Sequence, residues 1–142
     1  MKTIKGEDID KILKNNKRIY LCGQLIKVDN FEHIENDGLE IGISRYKTFT
    51  ADLPHVHTSN NEYNIVLNGE MKVYLFNEQK EYHLCKGDLF LIEPDMPYIS
   101  KSIAGTEVLF VKSPGGNDKQ LIPVDSSTKY WMSGWKQKMN EI

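Results

Sequence analysis

Apolar residues along this chain recur with two periods, and the change from one to the other falls near residue 17. Before it, Ile9, Ile12 and Leu13 share one helical face. Glu7 and Asp8 stand at its start and Lys14 and Lys17 near its end, the order a helix dipole favours. Residues 7–17 therefore predict a short helix. After it the pattern is that of strands. RIYLC (18–22) and QLIKVD (24–29) are short, β-rich and broken at Gly23. A loop with Asn36-Asp37-Gly38 leads into LEIGISRYKTFTADL, a long segment rich in β-branched and aromatic residues. The runs that follow are EYNIVLN (62–68), EMKVYLF (70–76), KEYHLC (80–85), DLFLIE (88–93), PYISKS (97–102) and TEVLFVK (106–112). Turn residues bound each of them. Asn68-Gly69 predicts a two-residue hairpin with positive φ at both positions. The strand series ends at SPGGNDKQ (113–120). Beyond it, Asp125 to Thr128 carry helix-start residues. Trp131 and Trp135, one helical turn apart, predict a terminal helix packed on the barrel or across a dimer interface.

Strands recurring every 8–12 residues or so point to a sandwich or barrel rather than an alternating α/β sheet. A length of 142 residues predicts one domain over 1–142. Its parts are an N-terminal helix and strands over 7–29, a core barrel at 39–112 and a C-terminal extension over 113–142. The chain is 39% hydrophobic, enough for one core. Eighteen basic residues against twenty acidic ones leave a net charge of −2, so no excess of cations is available for a phosphate backbone. Nucleic acid is not expected as the main partner. Apolar runs such as 89–92 and 108–111 are too short to cross a bilayer, so no membrane is expected either. The first twenty residues are studded with charge, unlike a signal peptide, which predicts a cytoplasmic protein. Cys22 and Cys85 lie far apart with no Cys-x-x-Cys pattern, so no disulfide scaffold is expected.

The candidate chemistry lies in His55-Val56-His57 and Glu62. Histidines at i and i+2 on an extended chain project from one face, and imidazole is the commonest metal ligand. A carboxylate returning on the next strand completes a two-histidine, one-carboxylate set with open positions. Such donors suit iron, manganese, nickel or zinc alike.

The stretch HVHTSNNEYNIVLNG reads His-x-His, four residues, Glu, six residues, Gly. It resembles the first motif of the cupin superfamily, and LCKGDLFLIEPDMPY resembles the second. The resemblance implies an all-β fold, a small antiparallel jelly-roll β-barrel, here with short N- and C-terminal helices. It also implies a divalent transition metal held by His55, His57 and Glu62, and a small-molecule ligand inside the barrel. This chain departs from the motifs at three places. Phe49 replaces a glycine, Glu93-Pro94-Asp95 shifts a proline and loses a glycine, and Tyr98 stands where a third histidine ligand is usual.

Tyr98 leaves three readings open. It lies beside a bound metal or ligates it weakly, acts as an acid facing a histidine base, or simply packs. The corresponding functions are a metal-dependent dioxygenase, isomerase or lyase; a metal-free nucleotide-sugar epimerase or ketoisomerase; and a module that binds a sugar or carboxylate without chemistry. Tyr98 and Glu62 are the candidate catalytic groups. If strand parity runs unbroken back from His55, Arg45, Lys47 and Phe49 share the inward face, with Arg45 or Lys47 placed to hold an anion. Asn64 shares the Glu62 face. His83 and Cys85 face outward. The open sheet edges of so small a barrel predict a homodimer.

Overall fold

The protein is described by a computed structural model that covers residues 1–25 and 31–141. Helix α1 spans Gly6–Leu13. It stops short of residue 17 because its apolar stripe ends at Leu13, and the Asn16 amide then donates to the Ile12 carbonyl, 2.9 Å away. The strands follow as β1 (Arg18–Gly23), β2 (Ile34–Glu35), β3 (Glu40–Tyr46), β4 (Thr50–Ala51), β5 (His55–His57) and β6 (Asn61–Asn68). Then come β7 (Glu70–Leu75), β8 (Lys80–Cys85), β9 (Leu89–Ile92), β10 (Tyr98–Ser102), β11 (Thr106–Ser113) and β12 (Lys119–Leu121). Helix α2, Ser126–Met132, closes the series. Gln24 and Leu25 are outside any strand, and the rest of the expected strand over 24–29 lies outside the described residues.

Two sheets face each other. One has the order β2-β1-β3-β11-β6-β9; the other has β12-β5-β10-β7-β8, with β4 also on β10. Among the described residues every pairing is antiparallel except β1 with β2. This is the expected all-β jelly roll. The chain crosses between sheets repeatedly, which explains two departures from the sequence reading. The long run at 39–53 splits into β3 and β4 because the chain changes sheet over 47–49. Asn68-Gly69 likewise carries the chain from β6 in one sheet to β7 in the other, so it is a crossing and not a hairpin turn. Only Gly69 takes positive φ there (78°). A Cβ on it would meet Thr106 Oγ1 at 2.5 Å, so both the backbone and the packing require glycine.

Between the sheets lie Val66, Met71, Val73, Ile92, Tyr98 and Val108. Each outer face is covered at one place by a helix. Leu13 of α1 packs on Ile19 and Phe31. Trp131 of α2 packs with Tyr74 and Ile99. Trp135 lies beyond the end of α2, so the two tryptophans do not share a helix; its ring packs against His83 instead. Among the described residues no helix is long and apolar enough to cross a membrane.

Candidate functional site

Both ends of β5 are histidines, and both side chains are buried while the intervening Val56 is only half-buried. The period-2 pattern of the strand therefore turns His55 and His57 inward. Tyr98 sits directly opposite His55 in the ladder, and Lys119 sits opposite His57. Glu62 and Asn64 reach in from the facing sheet. Together they line a cavity of about 430 Å³.

Short contacts link one side of this cavity into a chain. His55 Nδ1 lies 2.8 Å from the Leu53 carbonyl, and His55 Nε2 lies 2.8 Å from the Tyr98 hydroxyl. That hydroxyl donates to Glu62 Oε2 at 2.7 Å. Burial drives the His55 pKa down to about 4, against the Leu53 bond that raises it, so the ring is neutral at pH 7. Burial, then the Glu62 charge and its hydrogen bond, holds the Tyr98 phenol well above its ordinary value. A carbonyl only accepts, so the single ring proton belongs on Nδ1 and Nε2 is an acceptor. Tyr98 has one proton for two acceptors. The three contacts of the chain would be filled by one further proton, and Glu62 is the group on which it would sit.

His57 is held differently. Its Nδ1 donates to Asp118 Oδ1 at 2.7 Å, and its Nε2 faces the cavity 3.7 Å from Glu62 Oε2. Asp118 also accepts from the Ser59 and Asn60 backbone N–H groups, at 2.7 and 2.9 Å. Burial alone would raise its pKa, but these bonds and His57 hold it far below the usual carboxylate range. Sequence reasoning missed Asp118, which sits 61 residues from its partner in a segment read as the end of the strands. Only β12, unforeseen, brings it there.

The inward phase does not run back unbroken from His55. On β3 the cavity-lining residues are Glu40, Ser44 and Tyr46; beyond the strand Asp52 keeps the same parity, and the phase shifts across Leu53-Pro54 before His55. Arg45, Lys47 and Phe49 therefore lie off the cavity, contrary to expectation. Arg45 bonds Glu107 and Asp10, each at 2.8 Å, the Lys47 amine bonds the Lys14 carbonyl, and Phe49 is exposed. Among the described residues, the lysines and arginines that do line the cavity are Arg18, Lys112 and Lys119. Arg18 donates to Ser44 Oγ at 2.7 Å, and Lys112 lies 3.7 Å from Glu40. Burial lowers the Lys119 pKa; Arg18 and Lys112 add to this, while Asp52 and Glu62 oppose it. Asn64 lines the cavity as expected.

No protein-family model and no curated protein matches the chain. Solved structures do. A protein with a double-stranded β-helix domain from Klebsiella pneumoniae superposes with a TM-score of 0.55 at 19% identity, over 69% of this chain and 90% of its own. A cupin superfamily protein from Desulfitobacterium hafniense gives 0.51 at 11%, over 70% and 80%. A structure of the DMSP lyases RdDddP and RnDddQII gives 0.60 at 16%, over 75% of this chain and 52% of that one. The fold is that of the cupins.

Within this cupin-fold barrel the ligand atoms of His55, His57 and Glu62 stand too far apart, as placed, to share one ion. Two ligand atoms bonded to the same ion at about 2.0–2.2 Å are at most about 4.4 Å apart. Among the described residues, the His, Cys, Asp and Glu side chains whose ligand atoms gather as a trio within 4.8 Å are Glu70, His83 and Cys85. His55, His57 and Glu62 are not so gathered. The Tyr98 hydroxyl sits between His55 and Glu62 and bonds to both. The second motif keeps its turn despite the lost glycine, because Asp95 itself adopts a φ of 62°.

Proposed function

We propose that this cupin barrel binds a small, anionic organic molecule and moves a proton on it, as isomerases and lyases do. The observation that carries this reading is the hydrogen-bonded chain from the Leu53 carbonyl through His55 and Tyr98 to Glu62. A proton taken from a substrate carbon beside a carbonyl goes to Glu62, and its electron pair stays on the substrate. Protonated Glu62 then donates to the Tyr98 oxygen, Tyr98 donates to His55 Nε2, and all three contacts are satisfied. The proton later returns to the substrate, or the electron pair expels a leaving group. Arg18, Lys112 and Lys119 attract the anion and stabilise the charge that develops on its oxygen. His57, oriented by Asp118, offers a second proton-transfer atom at Nε2. Ligand spacing at His55, His57 and Glu62 does not favour the metal-dependent reading.

The test is deuterium wash-in from heavy water across a panel of hydroxy acids, keto acids and sugar acids, followed by NMR. Exchange is expected with at least one compound, to survive chelator, and to slow by about a hundredfold or more in Tyr98→Phe. Binding without exchange would leave the cupin a carboxylate- or sugar-binding module. Exchange abolished by chelator would restore a metal to the barrel.

We also infer a homodimer through the outer face of β6 and β9. Tyr63 pairs with Leu91 and Ile65 with Leu89 there; Leu89 and Leu91 are exposed on the sheet's end strand, and Tyr63 and Leu67 on the strand beside it.

A further inference from the structure

On the outer face of the β7–β8 hairpin, away from the cavity, three side chains of different chemistry meet. Glu70 and Cys85 stand directly opposite in the ladder, and His83 lies two residues before Cys85 on the same face. His83 Nε2 is 2.8 Å from Glu70 Oε1. Cys85 Sγ is 3.8 Å from that oxygen and 3.8 Å from His83 Nε2. Around a tetrahedral ion with bonds of about 2.0–2.3 Å, ligand atoms sit roughly 3.3–3.6 Å apart. The three separations straddle that range, so movements of about half an ångström would give each ligand atom its bond length.

The surroundings favour a cation. The Asp88 carboxylate, which accepts from the Cys85 N–H at 2.7 Å, adds negative charge beside the thiol. Lys72, the ladder partner of His83, has its amine engaged by the Trp135 carbonyl at 2.9 Å and stacked 4.3 Å from the Trp135 ring centroid. The His83 ring rests edge-on against the same tryptophan, at 5.7 Å and 71°, which limits its swing. His83 and Cys85 are exposed, so a fourth position faces solvent.

We propose that Glu70, His83 and Cys85 bind one zinc-class divalent ion, with water or an outside ligand in the fourth position. One thiolate, one imidazole and one carboxylate form a borderline-soft donor set that suits zinc and cobalt(II) better than magnesium or calcium. Binding displaces the thiol proton to solvent, moves the His83 proton from Nε2, where it faces Glu70, to Nδ1 so that Nε2 is free to ligate, and involves no change of oxidation state. The site is independent of the barrel chemistry.

Cobalt(II) chloride titrated into chelator-stripped, reduced protein should saturate at one equivalent and produce near-ultraviolet thiolate-to-cobalt absorption that zinc chloride removes. Cys85→Ser should lose that band, and His83→Ala should weaken cobalt binding about tenfold or more. His57→Ala should bind as tightly as the unaltered protein. In the unaltered protein, zinc should also slow a thiol reagent at Cys85, the exposed cysteine, Cys22 being buried. A missing cobalt band, a band that survives Cys85→Ser, or equal loss in His57→Ala would overturn the proposal.

Discussion

The proposed chemistry turns on Tyr98, whose hydroxyl touches both His55 and Glu62. Its position was legible in the sequence as the residue in place of a third histidine, but its contacts were not. Both contacts are long-range, at 43 and 36 residues of separation, so no local pattern carries them. The neutral His55 ring carries a stability signature. Its folded pKa of about 4 lies below the unfolded 6.5, so between those values the unfolded chain binds more protons. Unfolding free energy should therefore rise with pH across that window by up to roughly 3 kcal/mol, and flatten above it. Urea denaturation at pH 4.5 and 7 checks this, and the rise should shrink in His55→Gln. At His57 the matching test is Asp118→Asn, which keeps the size of the side chain but removes the charge that orients the ring. Deuterium exchange should slow by about one to two orders of magnitude while ligand affinity changes little. Equal losses in both would assign Asp118 to ligand binding instead.

Among elements, the strands with strong β patterning were readable and the short ones were not. β6 through β11 follow from runs of apolar and β-branched residues between turn signals. β12 is Lys119–Leu121, three exposed residues too few to show an alternating pattern, paired along the edge of β5. α2 was announced by Asp125, whose carboxylate accepts from Thr128 N–H at 2.8 Å as the N-cap. Asp125→Ala should cost about 1 kcal/mol, measurable by thermal denaturation. Nothing in the sequence marked Lys101. Its fully buried amine reaches the carbonyls of Trp131, Gly134 and Gln137 at 2.8–2.9 Å and lies 4.0 Å from the Trp131 ring centroid. It pins the end of α2 and the segment after it to the outside of the barrel. Lys101→Met, which keeps the stem and loses the charge, should cost roughly 3 kcal/mol. Amide exchange should then speed up over 126–137 before anywhere else.

At the scale of the whole molecule, class and architecture were legible because two motifs carried them, and sheet membership was not. Turn chemistry at Asn68-Gly69 suits a hairpin, yet a jelly roll uses the same residues to step from one layer to the other. The ladder assignments that separate these cases are long-range contacts, invisible to local pattern. The bare apolar strip on β6 and β9 belongs to this scale as well. Leu91→Glu should convert a dimer to a monomer in sedimentation while leaving the circular dichroism spectrum unchanged; a monomeric unaltered protein would remove the inference.

The shift of inward phase across Leu53-Pro54 has a consequence for altering this protein. Deleting one residue there would rotate β5 by half a pleat, pointing both imidazoles at solvent and Val56 into the cavity. Inserting one would do the same, whereas changing two residues' length would restore the aim. Catalytic silence alternating with recovery along such a length series would be the mark of a site defined by odd and even count rather than by residue identity alone.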